Sequence, residues 1–289
     1  MLFVKRNQLL KRGLLGLHKL GLRFGLIILP KHYYVPVADI DYLAKTRNKW
    51  AKRSNLSGVQ FDLSDQIENL KTLVKPYQNE YQGNSTYLEG MESHYGPGFG
   101  YIEAQALHGF IRATKPARII EVGSGVSTHC MMSATELNAR ETGKRCSITC
   151  IEPHPSAFLK NLGAEIELES RFVETLDPAY FDQLQAGDLL FIDSSHAVRP
   201  GGDVIFLFLE VIPRLKPGVL IHIHDIYLPF HYNRDVLKTI FQASETSVLQ
   251  ALLVGSGQLS TIFCLSLLHY DAQDVLKEVF PEYRPQLGQ

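Results

Sequence analysis

The sequence predicts a doubly wound α/β fold, a mostly parallel sheet with helices on both faces, preceded by a helical N-terminal extension. Three observations carry this expectation. After residue 116 five short apolar, β-branched runs (ARIIEVGSG, SITCIEP, AEIELES, DLLFIDS and GVLIHIHD) are separated by helical stretches, and such alternation builds βαβ units. LLFI and VLIHI are almost continuously apolar, as strands covered on both faces are. The first run leads into a Gly-rich turn that opens a helix, Glu121-Val-Gly123-Ser-Gly125-Val-Ser127, at the edge where open α/β sheets hold their ligands.

Composition agrees with an ordinary globular chain. Of 289 residues 45% are hydrophobic and 20% charged, with 22 Gly and 14 Pro, which excludes collagen-like, disordered and disulfide-scaffold classes. The cysteines at 130, 146, 150 and 264 form no CxxC pair and read as small core residues in a reduced, cytoplasmic setting. The net charge of −1 hides an asymmetry. Residues 1–53 carry twelve Lys or Arg against two Asp, a balance of +10, and the rest carries 17 basic against 28 acidic residues, a balance of −11.

The first element, within residues 1–54, is a basic amphipathic helix. On a helical wheel Lys5, Arg12, Lys19 and Arg23 fall on one side, and Leu9, Leu10, Leu14, Leu17, Leu20 and Phe24 on the other. No stretch before Pro30 has the roughly 20 uncharged apolar residues of a membrane span. Lys19 and Arg23 interrupt the apolar run and LPKHYY follows it, unlike a secretory signal. Residues 1–30 are therefore expected to dock on a surface, the protein's own, that of a partner, or the inner face of a membrane. No stacking platform for nucleic acid accompanies them.

Residues 55–289 form the main domain, with a helical lead-in over 55–115. FDLSDQIENLKTLVKPY offers Asp62 or Ser64 as an N-cap, GMESHYGPGFG is a Gly-rich turn, and IEAQALHGFIRATKP is a second helix closed by Pro116. The strands follow. Glu121, Glu152, Asp193 and Asp225 stand at their carboxyl ends, so four acids are expected on one rim.

A dinucleotide fingerprint would read GxGxxG. Here the last Gly is absent, and Glu121, two residues before the first, would repel a diphosphate but help hold an ammonium group. Glu152, 27 residues after Gly125, is placed to accept two ribose hydroxyls. A ribose and an ammonium group, with no phosphate needed, describe S-adenosylmethionine, for which Gly123, Ser124, Gly125, Asp193 and Ser194 are the further candidate contacts. The sequence resembles the class I S-adenosylmethionine-dependent methyltransferases over residues 100–266: RIIEVGSGVST looks like their first motif, CIEPHP their ribose-binding acid, FIDSSH and LKPGVLIHIHD their fourth and fifth strand motifs. The resemblance implies a Rossmann-like fold. HYYVPVADIDYL, FIDSSHAVRPGGDV and IHIHDIYLPFHY narrow it to a bacterial branch of small-molecule or sugar O-methyltransferases, akin to metal-dependent methyltransferases of antibiotic sugars and the cephalosporin-hydroxylase-like group. That family closes its sheet with an antiparallel sixth and seventh strand. STIFCLSLLHY reads as the sixth, and nothing after it is fit to be the seventh, which leaves that edge to another segment or to a second chain in a homo-oligomer.

Transfer of a methyl group to an alcohol needs alignment and a base or a metal. His196, three residues past Asp193, is the candidate base, with an ordinary pKa near 6.5. Asp193 and Asp225, on adjacent strands, are candidate ligands of Mg²⁺, with His224 where some relatives carry a further acid. His222 and His224 leave one face of their strand and Asp225 the other; His222 reads as a hydrogen-bonded core residue. His231, Tyr232 and Tyr95 are candidate walls of an acceptor pocket, and Arg199 a partner for an anionic or sugar substrate. The acceptor expected is a small hydroxylated molecule such as a sugar or lipid-linked saccharide. A nicotinamide-dependent oxidoreductase and a non-catalytic scaffold are the competing classes, since the fold hosts many chemistries.

Overall fold

The computed structural model describes residues 2–31, 37–93, 95 and 99–285, with side chains in the first helix described from Leu10 onward. Residues 32–36 of HYYVPVADIDYL, and 94 and 96–98 of the Gly-rich turn before the domain, lie outside the described residues. The chain divides into two compact units, Met1–Lys52 with Asp235–Phe241, and Arg53–Arg234 with Gln242–Gln289.

In the smaller unit the expected amphipathic segment is helix α1 (Leu2–Arg23). It ends where Gly25 adopts φ +71°, with Leu26 N–H donating to the Gly21 carbonyl at 2.9 Å and Gly25 N–H to that of Leu22 at 3.2 Å. This reversal satisfies the last carbonyls of the helix. A short helix, Ile40–Lys45, follows, capped by Asp39, whose carboxylate accepts from Tyr42 N–H at 3.2 Å.

In the larger unit Asp62 is the cap the sequence offers for α2 (Leu63–Leu73): its Oδ1 accepts from Ser64 and Asp65 N–H at 2.8 and 3.1 Å. Helix α3 (Tyr101–Thr114) stops as expected before Pro116, with Lys115 left-handed at φ 50°. The sheet comprises β1 (Arg118–Val122), β2 (Ser147–Ile151), β3 (Glu167–Glu169), β4 (Leu189–Ile192) and β5 (Leu220–Ile223). Its order is β3-β2-β1-β4-β5, parallel at every pairing. The order reverses between β1 and β4, which puts a crevice outside their carboxyl ends. Helix α4 (Val126–Thr142) is the first crossover.

Alternation along β1 builds the two cores. Ile119 joins Leu107, Ile111, Met131 and Phe191 on one face, and Ile120 and Val122 join Ile151, Phe181, Leu190 and Phe208 on the other. Strand β4 is buried throughout, as its apolar run requires. Strand β5 is not: it is only half-buried, because among the described residues no strand lies beyond it.

The expected sixth strand is absent there. Residues 260–264 form no strand, and Leu265–Asp271 is helix α6, after α5 (Glu245–Leu253). Its backbone finds partners other than a ladder: Gln66 Oε1 accepts from Cys264 N–H at 2.8 Å, and Asn69 Nδ2 donates to the Ile262 carbonyl at 3.0 Å. Leu268 then packs with Leu70, Val74, Leu276 and Phe280. Side chains of α2 thus replace a neighbouring strand.

Candidate active site at the carboxyl edge of the sheet

At the order reversal lies a cleft of about 160 Å³, lined by the Gly123–Ser127 turn, Phe99, Glu152 and Asp193. Gly123 is required by the backbone: it has φ +81°, and a Cβ there would collide with the Asp193 carbonyl oxygen. The strand ends are drawn together by Gly123 N–H to the Ile151 carbonyl, 3.0 Å, and Asp193 N–H to that of Val122, 2.8 Å. Gly125 differs, because a Cβ on it would meet nothing nearer than the Tyr95 carbonyl oxygen at 3.9 Å and would fill the cleft. Glu152 Oε2 accepts from Ser124 N–H at 3.2 Å and Oε1 from His154 N–H at 2.7 Å. Each oxygen keeps capacity for one more donor, such as a ribose hydroxyl.

Glu121 does not join them. It is fully buried and absent from the cleft lining. Its Oε1 accepts from Ser127 Oγ at 2.6 Å, and its Oε2 from Thr128 Oγ1 at 2.6 Å and the Cys150 thiol at 3.2 Å. Burial pushes its pKa up to about 7 against these bonds. Glu121 ties the first turn of α4 to β1 from inside, so direct contact with a ligand's ammonium group is not what this position offers. Repulsion of a diphosphate falls instead to Glu152, with no Lys or Arg among the residues lining the cleft.

Beginning at Asp193, the one of the three that lines the cleft, one donor atom each from Asp193, His196 and Asp225 lies within 4.8 Å of the other two. His196 Nε2 is 3.3 Å from Asp193 Oδ1 and 3.4 Å from Asp225 Oδ2, and Nδ1 is 2.5 Å from Oε1 of the buried Glu245. The backbone is bent to make this cluster: His196 and Asp225 are left-handed, at φ 59° and 52°, which for non-glycine residues costs about 1–3 kcal/mol each. Strand alternation predicts Asp225 on the face opposite His224. The left-handed turn instead brings its carboxylate to 3.8 Å from His224 Nδ1.

Burial would lower the pKa of His196, but contacts with Asp193 and Glu245 and the charge of Asp225 raise it to about 10. His196 is therefore an imidazolium at neutral pH, not the free base expected from an ordinary histidine. Asp193, in turn, is held well below the usual carboxylate range by His196 and His224, in spite of burial. The set of two carboxylates and one imidazole fits a divalent cation, with the condition that His196 gives up its proton. His224 is not in that set; it lies 3.4 Å from Asp193 through Nδ1 and packs on Phe99, ring centroids 5.0 Å apart. His222 stacks on Phe191 at 4.4 Å, and burial, with His224 nearby, pushes its pKa down to about 3. Its Nε2 is buried without a hydrogen bond, so the hydrogen-bonded core histidine expected there is a neutral stacked ring.

Three residues were not foreseen. Glu245 opens α5, and its place after Ser244 signals a helix start without revealing that it reaches His196. Asp203, behind Gly201-Gly202, accepts Ser195 N–H and Oγ at 2.6 Å each; burial raises its pKa and these donors bring it below the ordinary value. Asp203 thereby pins the loop that carries Ser194 and His196. Phe99 lines the cleft from the Gly-rich segment. Of the residues expected around an acceptor, the Tyr95 ring is buried against Phe158 and His129, His231 meets Gln250 at 2.5 Å, Tyr232 rests on Phe230, and Arg199 is exposed. None of the four lines the cleft.

Residues 120–226 match a family model described as a methyltransferase domain. That match supports a methyltransferase. It runs from β1 to just past Asp225 and so spans the cleft's Gly turn, Glu152 and the Asp193, His196 and Asp225 cluster, while Glu245 lies beyond it. Together with the five-stranded parallel sheet it describes a Rossmann-like class I methyltransferase fold. The chain is also similar to an uncharacterized protein of Archaeoglobus fulgidus, 25% identical over 170 residues, which are 56% of this chain and 75% of that protein. No solved structure matches it.

Proposed function

We propose that the chain is an S-adenosylmethionine-dependent methyltransferase acting on a hydroxyl oxygen of a small acceptor such as a sugar or glycolipid. The observation that carries the reading is the cleft at the order reversal, where an open Gly125 and an available Glu152 meet with no Lys or Arg. A diphosphate would face Glu152 with no Lys or Arg in the lining to offset it, whereas ribose hydroxyls donate to Glu152. When bound, S-adenosylmethionine supplies a methyl group activated by the adjoining sulfonium.

The chain's residues do the rest. Gly125 lets the ligand approach the backbone, Phe99 closes one wall against water, and Glu152 orients the ribose. An acceptor hydroxyl must lose its proton. With His196 protonated, that proton goes to the cluster through Asp225, whose side chain is 39% exposed against 22% for Asp193. His196, held by Glu245, keeps the two aspartates in place. If the site works with Mg²⁺, Asp193, Asp225 and His196 would hold it, and the ion would supply Lewis acidity at the same spot.

Incubation with methyl-labelled S-adenosylmethionine and a panel of monosaccharides, glycolipids, amines and thiols, with and without Mg²⁺, tests the acceptor class. Labelled O-methyl product, lost in His196→Ala while cofactor binding persists, is the expected result. Label appearing only on nitrogen or sulfur nucleophiles would contradict it.

A further inference from the structure

Large exposed apolar side chains are concentrated in the smaller unit. Of twenty-three among the described residues, fourteen fall within residues 1–52 and 235–241, about a fifth of the chain. On α1, Leu10, Leu17 and Leu20 are exposed and span an arc of roughly 80°. Arg12, Lys19 and Arg23 occupy a separate arc of roughly 40°, with the exposed Leu15, Leu22 and Lys11 on its far side. The chain leaving the helix exposes Phe24 at 75% and Ile27 at 71%, and it is held in place. A Cβ on Gly21 would approach the Leu26 carbonyl oxygen to 2.8 Å, and His18 Nδ1 lies 3.0 Å from the Ile28 carbonyl oxygen. The apolar segment is thus folded back on the helix rather than trailing from it.

Charge selects the occupant. Residues 1–38 carry seven Lys or Arg and no Asp or Glu, so the α1 of a second copy laid on this face would set like charges against like. No helix among the described residues is long and apolar enough to cross a membrane. An apolar face flanked by a cationic one is the arrangement of a helix that lies in the headgroup region. We propose that α1, with the segment folded back on it, is an interfacial anchor for an anionic lipid surface. Leu10, Leu17 and Leu20 enter the acyl boundary, and Arg12, Lys19 and Arg23 meet the lipid phosphates.

The test is flotation of the full chain with vesicles of phosphatidylcholine, with and without phosphatidylglycerol, and it is independent of methyl transfer. The protein should float with the anionic vesicles and stay behind with the neutral ones, and added salt should weaken binding. Lys19→Glu should lower the partition coefficient about fivefold or more, and Leu17→Glu should remove binding. Leu88→Glu, an equally exposed leucine in the larger unit, should change nothing, and unaltered urea midpoints would show that the variants fold. Binding independent of lipid charge, or undiminished in Lys19→Glu and Leu17→Glu, would overturn the proposal. So would absence of vesicle binding by folded protein at low salt, or a dimer that Leu17→Glu dissociates, since a second copy would then cover the face.

Discussion

At the β1 and β2 end of the cleft a ligand meets backbone, the Gly123–Ser127 turn, with one carboxylate, Glu152, bonded to two N–H groups. At the β4 and β5 end it meets Asp193, which is held by charged side chains from separate segments, His196 after β4, Asp225 after β5 and, behind His196, Glu245 from α5. The difference governs how each end fails. A surface made of backbone depends on positions where a Cβ cannot fit. A surface made of charges depends on every member, because each sets the protonation of the others.

The largest effect should come from Gly123→Ala. Its Cβ collides with backbone at a left-handed position, so a loss of about 4 kcal/mol or more in unfolding free energy is expected. Urea denaturation reads it, and a loss below 1 kcal/mol would mean that the β1 and β4 ends are not locked together. Next is the pH dependence set by Glu121. Its folded pKa of about 7 lies above the ordinary 4.5, so the native state holds a proton that the unfolded chain releases. Its contribution is fully present below about pH 4.5 and is lost as pH rises to about 7, on the order of 3 kcal/mol. Glu121→Gln should flatten that stretch of a stability-against-pH curve, and an unchanged slope would argue against a protonated Glu121.

Glu245→Ala probes the charged end. Loss of a buried bond to an imidazolium should cost about 2 kcal/mol, and the His196 resonances should titrate at lower pH by NMR. An unmoved titration would show that Asp193 and Asp225 alone hold the proton. The smallest effect is Glu152→Ala, which should weaken S-adenosylmethionine binding about tenfold and leave stability nearly unchanged.

The same contrast explains what the sequence makes legible. The Gly turn, its helix and the acid that ends β2 are local patterns, readable because short-range sterics and strand periodicity produce them. Strand β4 reads equally well from four apolar residues. The charged end does not, because Glu245 comes 49 residues after His196 and nothing local reports that pairing. Positive φ at His196 and Asp225 belongs to no residue type that demands it, so alternation sends Asp225 to the wrong face. Glu121 misleads for a related reason: sequence places it near the rim, whereas the pleat turns it inward, toward Ser127 and Thr128. STIFC misleads because its β-branched residues suit a strand, while Gln66 and Asn69, some two hundred residues earlier, satisfy its backbone.

Calorimetric titration of S-adenosylmethionine and S-adenosylhomocysteine into the full chain, with and without Mg²⁺ and with NADH as control, reads the ligand class of the cleft directly. Both sulfur ligands should bind saturably, more weakly in Glu152→Ala, and NADH should not bind. Binding of NADH alone, or of no ligand by demonstrably folded protein, would contradict the proposed ligand class.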